Sequence, residues 1–234
     1  MPKRKTKKPA LPVLPIVSAL YGHSVNWTAP DQLYGFQQAN ADFKNCTYFN
    51  SFGSALEDST LAVKLAPWIV GPAGGTMSKF KLPEATSYSV AFDLKFDSGF
   101  YFGAGGKVGF GLLVGPGYTG GDTGPTGGSV RLMWQGNYLK PYIYHPRQLG
   151  TWGDDFGKRF PVVAGQWYNV KITVTPASVK IEINGVVLLS QAIQFNDVVK
   201  HLSFENFRGG SELYWQSPKE DKIYFDNITV AQIA

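Results

Sequence analysis

In the stretch "GGSVRLMWQGNYLKPYIYHP", residues 127–146, chemically able side chains fall on alternate positions. Ser129, Arg131 and Met133 interleave with Val130, Leu132 and Trp134, and after a short polar break Tyr142 and Tyr144 flank Ile143. Such alternation marks strands with two unlike faces. One face is ordinary core. The other carries a hydroxyl, a guanidinium and two phenols, without the interleaved Lys and Glu of a solvated surface. These groups suit elimination beside a carboxylate. A guanidinium binds a carboxylate through paired charge-assisted hydrogen bonds. Neutralising that charge acidifies the adjacent C–H, and a phenol or amine of lowered pKa removes the proton. A second phenol protonates the departing oxygen.

Other chemistries are less well provided for. His23, His145 and His201 are isolated and lack metal-ligand spacing, so no metal and no other cofactor is expected. There is no Gly-x-Ser-x-Gly elbow, and Ser129 has no His/Asp partner in sequence. Glycoside hydrolysis needs two carboxylates at the site. Asp93, Asp97, Asp154, Asp155 and Asp226 are the candidates, and none lies in the stretch itself. The glycines at 103–111 lack the Gly-Lys-Ser/Thr ending of a phosphate loop.

A rigid sheet has to hold these groups. An antiparallel hairpin turned near Asn137-Tyr138 places Arg131 opposite Tyr144 and Met133 opposite Tyr142, with Ser129 on the same face. Elsewhere "SYSVAFDLKF", the segment from Val108 to Val114, "QWYNVKITVT", "KHLSFENF" and "KIYFDNITVAQIA" read as strands. "SVKIEINGVVLLS" reads as a hairpin turned at Asn184-Gly185. "FNDVVK" is expected to make one helical turn, and residues 20–60 to form loops and short strands. Many short strands with Gly- and Pro-rich turns give an all-β, single-domain jelly-roll sandwich of antiparallel sheets over residues 20–234.

Length and composition agree with one such domain: 234 residues, 44% apolar, with 27 Gly and 15 Pro. No apolar run is long enough to span a membrane. The lone Cys46 excludes an intramolecular disulfide. The net charge of +5 is concentrated in an arm. Lys3, Arg4, Lys5, Lys7 and Lys8 fall in the first eight positions, and without them 17 basic residues balance 17 acidic ones. Residues 1–19 therefore read as a flexible, basic, Pro-rich arm, and residues 3–8 as a contact for nucleic acid if the arm has a partner.

Four segments carry a resemblance. "GAGGKVGFGLLVG", "SVRLMW", "YIYHP" and "FRGGSELYWQSPKEDKIYFDNITV" occur in this order over roughly residues 60–234. Together they resemble the jelly-roll polysaccharide lyases of families 14 and 20, which include alginate and glucuronan lyases. The resemblance implies β-elimination on an acidic polysaccharide, with Lys107, Arg131, Tyr142 and Tyr144 as catalytic residues and Ser129 binding substrate. In the reading it supports, Arg131 and Lys107 neutralise the carboxylate, Ser129 orients by a hydrogen bond, and the two tyrosines share the acid and base roles. The chain departs from the family where "KVGFGLL" replaces a Leu-Pro-Gly-Leu continuation, and where the glycine-rich "GPGYTGGDTGPTGG" precedes Ser129.

Two alternatives belong to other classes. A viral coat or surface protein would use the jelly roll for assembly and the arm for nucleic acid. A carbohydrate-binding module would keep the groove without catalysis, with Trp134, Trp152 and Trp215 as candidate sugar platforms. Secretion or a virion suits these readings better than a cytoplasmic metabolic role.

Overall fold

The computed structural model describes residues 20–233, so the basic arm, residues 1–19, lies outside the described residues. The chain runs through β1 (Gly22–Val25), β2 (Gln32–Leu33), helix α1 (Phe36–Phe43), β3 (Cys46–Ser51), β4 (Ser54–Glu57), β5 (Thr60–Leu65), β6 (Thr76–Ala85) and β7 (Tyr88–Phe96). It continues with β8 (Gly106–Val114), β9 (Gly128–Gln135), β10 (Tyr138–Tyr144), β11 (Phe160–Pro161) and β12 (Trp167–Val174). β13 (Ser178–Ile183), β14 (Val186–Ala192), β15 (Val199–Arg208) and β16 (Asp221–Gln232) complete it.

These strands make two antiparallel sheets. The first has the order β14-β13-β12-β7-β16-β5-β4-β2, with β1 paired to β16. The second, which holds the site, has the order β11-β10-β9-β8-β15-β6-β3. The sandwich core lies between them and is built on aromatic contacts: Phe110 stacks on Phe204 at 4.4 Å and meets Phe92 of the opposite sheet at 5.4 Å. Each fully buried Phe contributes about 1.5–3 kcal/mol through apolar burial.

The two sheets differ on their outer faces. β7 alternates between buried and half-buried residues along its whole length, as a strand facing core and solvent should. β8 is buried at every position, β9 at all but its last. Something covers the outer face at the centre of the second sheet, and that cover forms the site's walls.

Three expectations from sequence need correction. "FNDVVK" forms a bend leading into β15, not a helical turn. Residues 36–43 form a helix, where only loops and short strands were expected; Ala39 and Phe43 anchor it, and Phe43 packs on Phe80 and Phe110. The β9–β10 hairpin turns at Gly136-Asn137, with Gly136 at φ +53° in the left-handed region that two-residue hairpins favour for glycine. Arg131 therefore pairs with Tyr142 and Ser129 with Tyr144. The register is shifted by two residues from the expected one, so each side chain keeps its face. The Asn184-Gly185 hairpin forms as expected, both residues having positive φ.

Candidate active site

The site is assembled on the outer face of β8, β9, β10 and β15. Lys107 lies opposite Met133 across the β8–β9 pair and opposite Phe207 across β8–β15. Its Nζ stands 3.7 Å from the centre of the Tyr142 ring, a cation–π contact. The Arg131 guanidinium lies 5.4 Å from the Tyr142 ring and 5.5 Å from the Tyr144 ring. The two phenol oxygens are 3.4 Å apart. The structure thus brings Lys107, Arg131, Tyr142 and Tyr144 into one cluster.

Ser129 shares their face but not their company. It is fully buried, and its hydroxyl donates to the Tyr118 carbonyl at 2.8 Å. Tyr118 belongs to the glycine-rich loop 115–127, whose Gly121 N–H also donates to the Tyr144 hydroxyl at 3.0 Å. Two hydrogen bonds therefore tie this loop over one side of the cluster. The other side is walled by the loop between β15 and β16. There Trp215 packs against the cluster formed by Met133, Tyr142 and Tyr144. A buried ion pair, Arg208 with Asp221, closes that loop at its stem, and Gln216 donates to the Trp68 carbonyl at 2.6 Å.

One residue of the cluster was missed from sequence. Glu205 on β15 accepts a 2.6 Å bond from Arg131 Nη1, with both side chains about 95% buried. The only signal was an acid midway along the apolar strand "HLSFENF", on the same face as Ser203 and Phe207. Arg131 Nε and Nη2, Glu205 Oε1 and Ser203 Oγ are buried without hydrogen-bond partners among the described residues. Gly111 makes room for this arrangement: a Cβ there would fall 2.6 Å from Arg131 Cγ.

Burial sets the protonation of the reactive groups. Lys107, 9% exposed, has its amine pushed down to about 7, first by desolvation and then by the Arg131 charge, while Glu205 acts in the opposite sense. The Tyr142 phenol is pushed up by burial and by its hydrogen bond to Tyr144, with Arg131 partly offsetting this. A neutral amine able to take a proton thus sits against a phenol that holds its own.

The remaining candidates lie elsewhere. Asp93 and Asp226 are on the opposite sheet, and Asp154 and Asp155 pair with His145 at 2.8 Å and Lys140 at 3.1 Å. Trp134 is core, its Nε1 donating to the Phe102 carbonyl. Trp152 is exposed. Among the described residues no group of three or more His, Cys, Asp or Glu is placed to hold a metal, and no helix is long and apolar enough to cross a membrane.

Residues 73–228 match the family described as polysaccharide lyase 14. The chain belongs to that family. The solved structure of alginate lyase Aly36B superimposes on this lyase-family chain with a TM-score of 0.87 at 36% identity, covering 91% of this chain and 97% of that one. Alginate lyase vAL-1 from Chlorella virus (TM-score 0.68, 19% identity, 86% and 99% covered) shares the fold. So does the PL-14 alginate lyase from Aplysia kurodai (TM-score 0.70, 18% identity, 84% and 94% covered). No curated protein sequence matches the chain.

Proposed function

We propose that this family 14 member is a lyase that cleaves an alginate-type uronic acid polymer by β-elimination. The observation that carries the proposal is the Lys107 amine lying 3.7 Å from the Tyr142 ring, beside the buried Arg131. The relative Aly36B, whose variants have been solved with an alginate trisaccharide and an alginate tetrasaccharide, supports the choice of polymer.

The roles follow from the environment of each group. Lys107, pushed down to about 7, is the base that takes the proton from C5 of the uronate. On accepting it, Lys107 becomes a cation beside the charge developing on the carboxylate. Arg131, 4% exposed and held by Glu205, acts on that charge through a desolvated region where electrostatic effects are strong. The Tyr142 phenol, protonated and more exposed than Tyr144, delivers its proton to the leaving glycosidic oxygen as the C4–O bond breaks. Tyr144, pinned by the Gly121 N–H, orients Tyr142. Ser129 serves through the loop it holds. This moves the base role expected of a tyrosine onto Lys107, because burial lowers an amine pKa and raises a phenol pKa.

The test is ultraviolet absorbance during incubation with alginate, glucuronan and other polyuronates. A rise reports the conjugated C4–C5 double bond left by elimination. Arg131→Ala should remove it in a sample that circular dichroism shows to be folded, although the buried Glu205 then loses its counter-ion. A folded, unsubstituted protein that gives no rise on any polyuronate overturns the proposal.

A further inference from the structure

The site sheet continues beyond the reactive cluster, and its register shows what lies there. Tyr142 pairs with Arg131, Arg131 abuts Gly111, Gly111 pairs with Ser203, and Ser203 pairs with Lys79. A parallel row runs from Tyr144 through Ser129, Leu113 and His201 to Lys81. Paired residues share a face, so Lys79, Lys81 and His201 stand on the face that carries the cluster. With strands about 4.8 Å apart, three spacings put Lys79 roughly 14 Å from Arg131 across the sheet. Between them stand Gly111, which has no side chain, and Ser203, which has a short one, both buried beneath their neighbours.

The two flanks of the cluster differ in charge balance. Beyond β10, Lys140 and Arg159 pair with Asp155 at 3.1 and 3.5 Å, and His145 pairs with Asp154 at 2.8 Å. Beyond β15, neither Lys79 nor Lys81 has a carboxylate within ion-pair distance among the described residues. At His201 burial, and after it the charges of Lys79, Lys81 and Lys200 acting against Glu84, favour the neutral imidazole. Lys200 is held by Asp197 at 3.2 Å, which leaves Lys79 and Lys81 as the cations of this flank without an ion-pair partner among the described residues.

We infer that the polymer lies across β15, β6 and β3, with Lys79 and Lys81 receiving uronate carboxylates several sugars from the cleaved bond and His201 hydrogen-bonding between them. The inference rests on the polyuronate reading above. A polyanion with one charge per sugar fits a track of separated cations that have no ion-pair partner, whereas Lys140 and Arg159 on the opposite flank are already held by Asp155.

The experiment compares the full-length protein with K79A/K81A, using K171A/K180A on the opposite sheet as the control for charge removal. Exposed charge contacts are each worth up to about fivefold in affinity. In K79A/K81A, KM for long alginate should rise roughly tenfold, with the loss confined to KM and a weaker dependence on salt. The shortest cleavable oligomer and the control should show no such change. An unchanged KM, or an equal rise in the control, overturns the track. If the unsubstituted protein forms no elimination product, the lyase reading fails, and affinity electrophoresis through an alginate gel decides the track alone. Retardation lost only in K79A/K81A supports it; equal retardation in all three proteins overturns it.

Discussion

Lys107 Nζ contacts Tyr142 over the ring face, 3.7 Å from its centre, and not at the phenol oxygen. The amine and the hydroxyl are therefore adjacent without being hydrogen-bonded to each other, which leaves one free to accept a proton and the other free to give one. The pair sits beside Arg131, whose charge disfavours a second cation at Lys107.

This arrangement fixes a pH dependence. Lys107 must be neutral to act as base, so kcat/KM should rise with pH through about 7, the value to which its amine is pushed. A pH–rate profile checks this. An acid limb centred near pH 4, the ordinary range of a carboxylate, would point to a different base.

Stability should run against function at the same residue. The folded state holds Lys107 at about 7 and the unfolded chain at about 10.5, so the unfolded state binds more protons between those values. Stability therefore rises with pH across that window, and the burial cost is borne in full below it. Lys107→Met should abolish elimination yet stabilise the fold at pH 6 by about 0.5–2 kcal/mol, with the gain shrinking as pH rises past 7. Melting curves at pH 6 and pH 9 measure the difference.

Glu205→Gln leaves the Arg131 charge buried without its counter-ion, a change that typically costs about 3–5 kcal/mol. Glu205 also raises the Lys107 pKa, so its loss should move the acid limb of kcat/KM to lower pH. Denaturant melts report the first effect and the pH profile the second. An unmoved limb would confine Glu205 to holding Arg131 in place.

Gly111→Ala would place a Cβ 2.6 Å from Arg131 Cγ and 2.7 Å from the Val130 carbonyl. The expected cost is about 1–3 kcal/mol from overpacking. Because Arg131 must shift to accommodate it, kcat should fall at least tenfold, measured by ultraviolet absorbance on a sample shown to be folded.

Ser129→Ala removes the bond to the Tyr118 carbonyl, a loss of about 1 kcal/mol. The amides of loop 115–127 should exchange faster with solvent. Unchanged exchange there would separate Ser129 from the loop's order.

The sandwich was legible from sequence because its strands alternate cleanly: Tyr88, Val90, Phe92, Leu94 and Phe96 all face the core as the pattern requires. The two-residue slip in the β9–β10 register was not legible, since a shift of two preserves every facing and leaves the pattern unchanged. The helix at 36–43 was hidden because two buried residues, Ala39 and Phe43, are too few to set a helical period. At the site, residue type and alternation suggested the phenols and the guanidinium. The Arg131–Glu205 pair joins positions 74 apart in sequence, and the burial that divides protons between Lys107 and Tyr142 comes from loops whose paths no local pattern encodes.

Both walls of the cleft are loops fastened at identifiable points, one by Ser129 and Tyr144, the other by Arg208 and Asp221. Doubling the length of such a loop adds only about 0.6 kcal/mol of closure entropy. The rims can therefore be lengthened, trimmed or exchanged over evolutionary time while the hairpin beneath them stays in register. Selection on which polysaccharide enters is thereby uncoupled from selection on how the bond is broken, and homologues of this chain should diverge in the first while retaining the second.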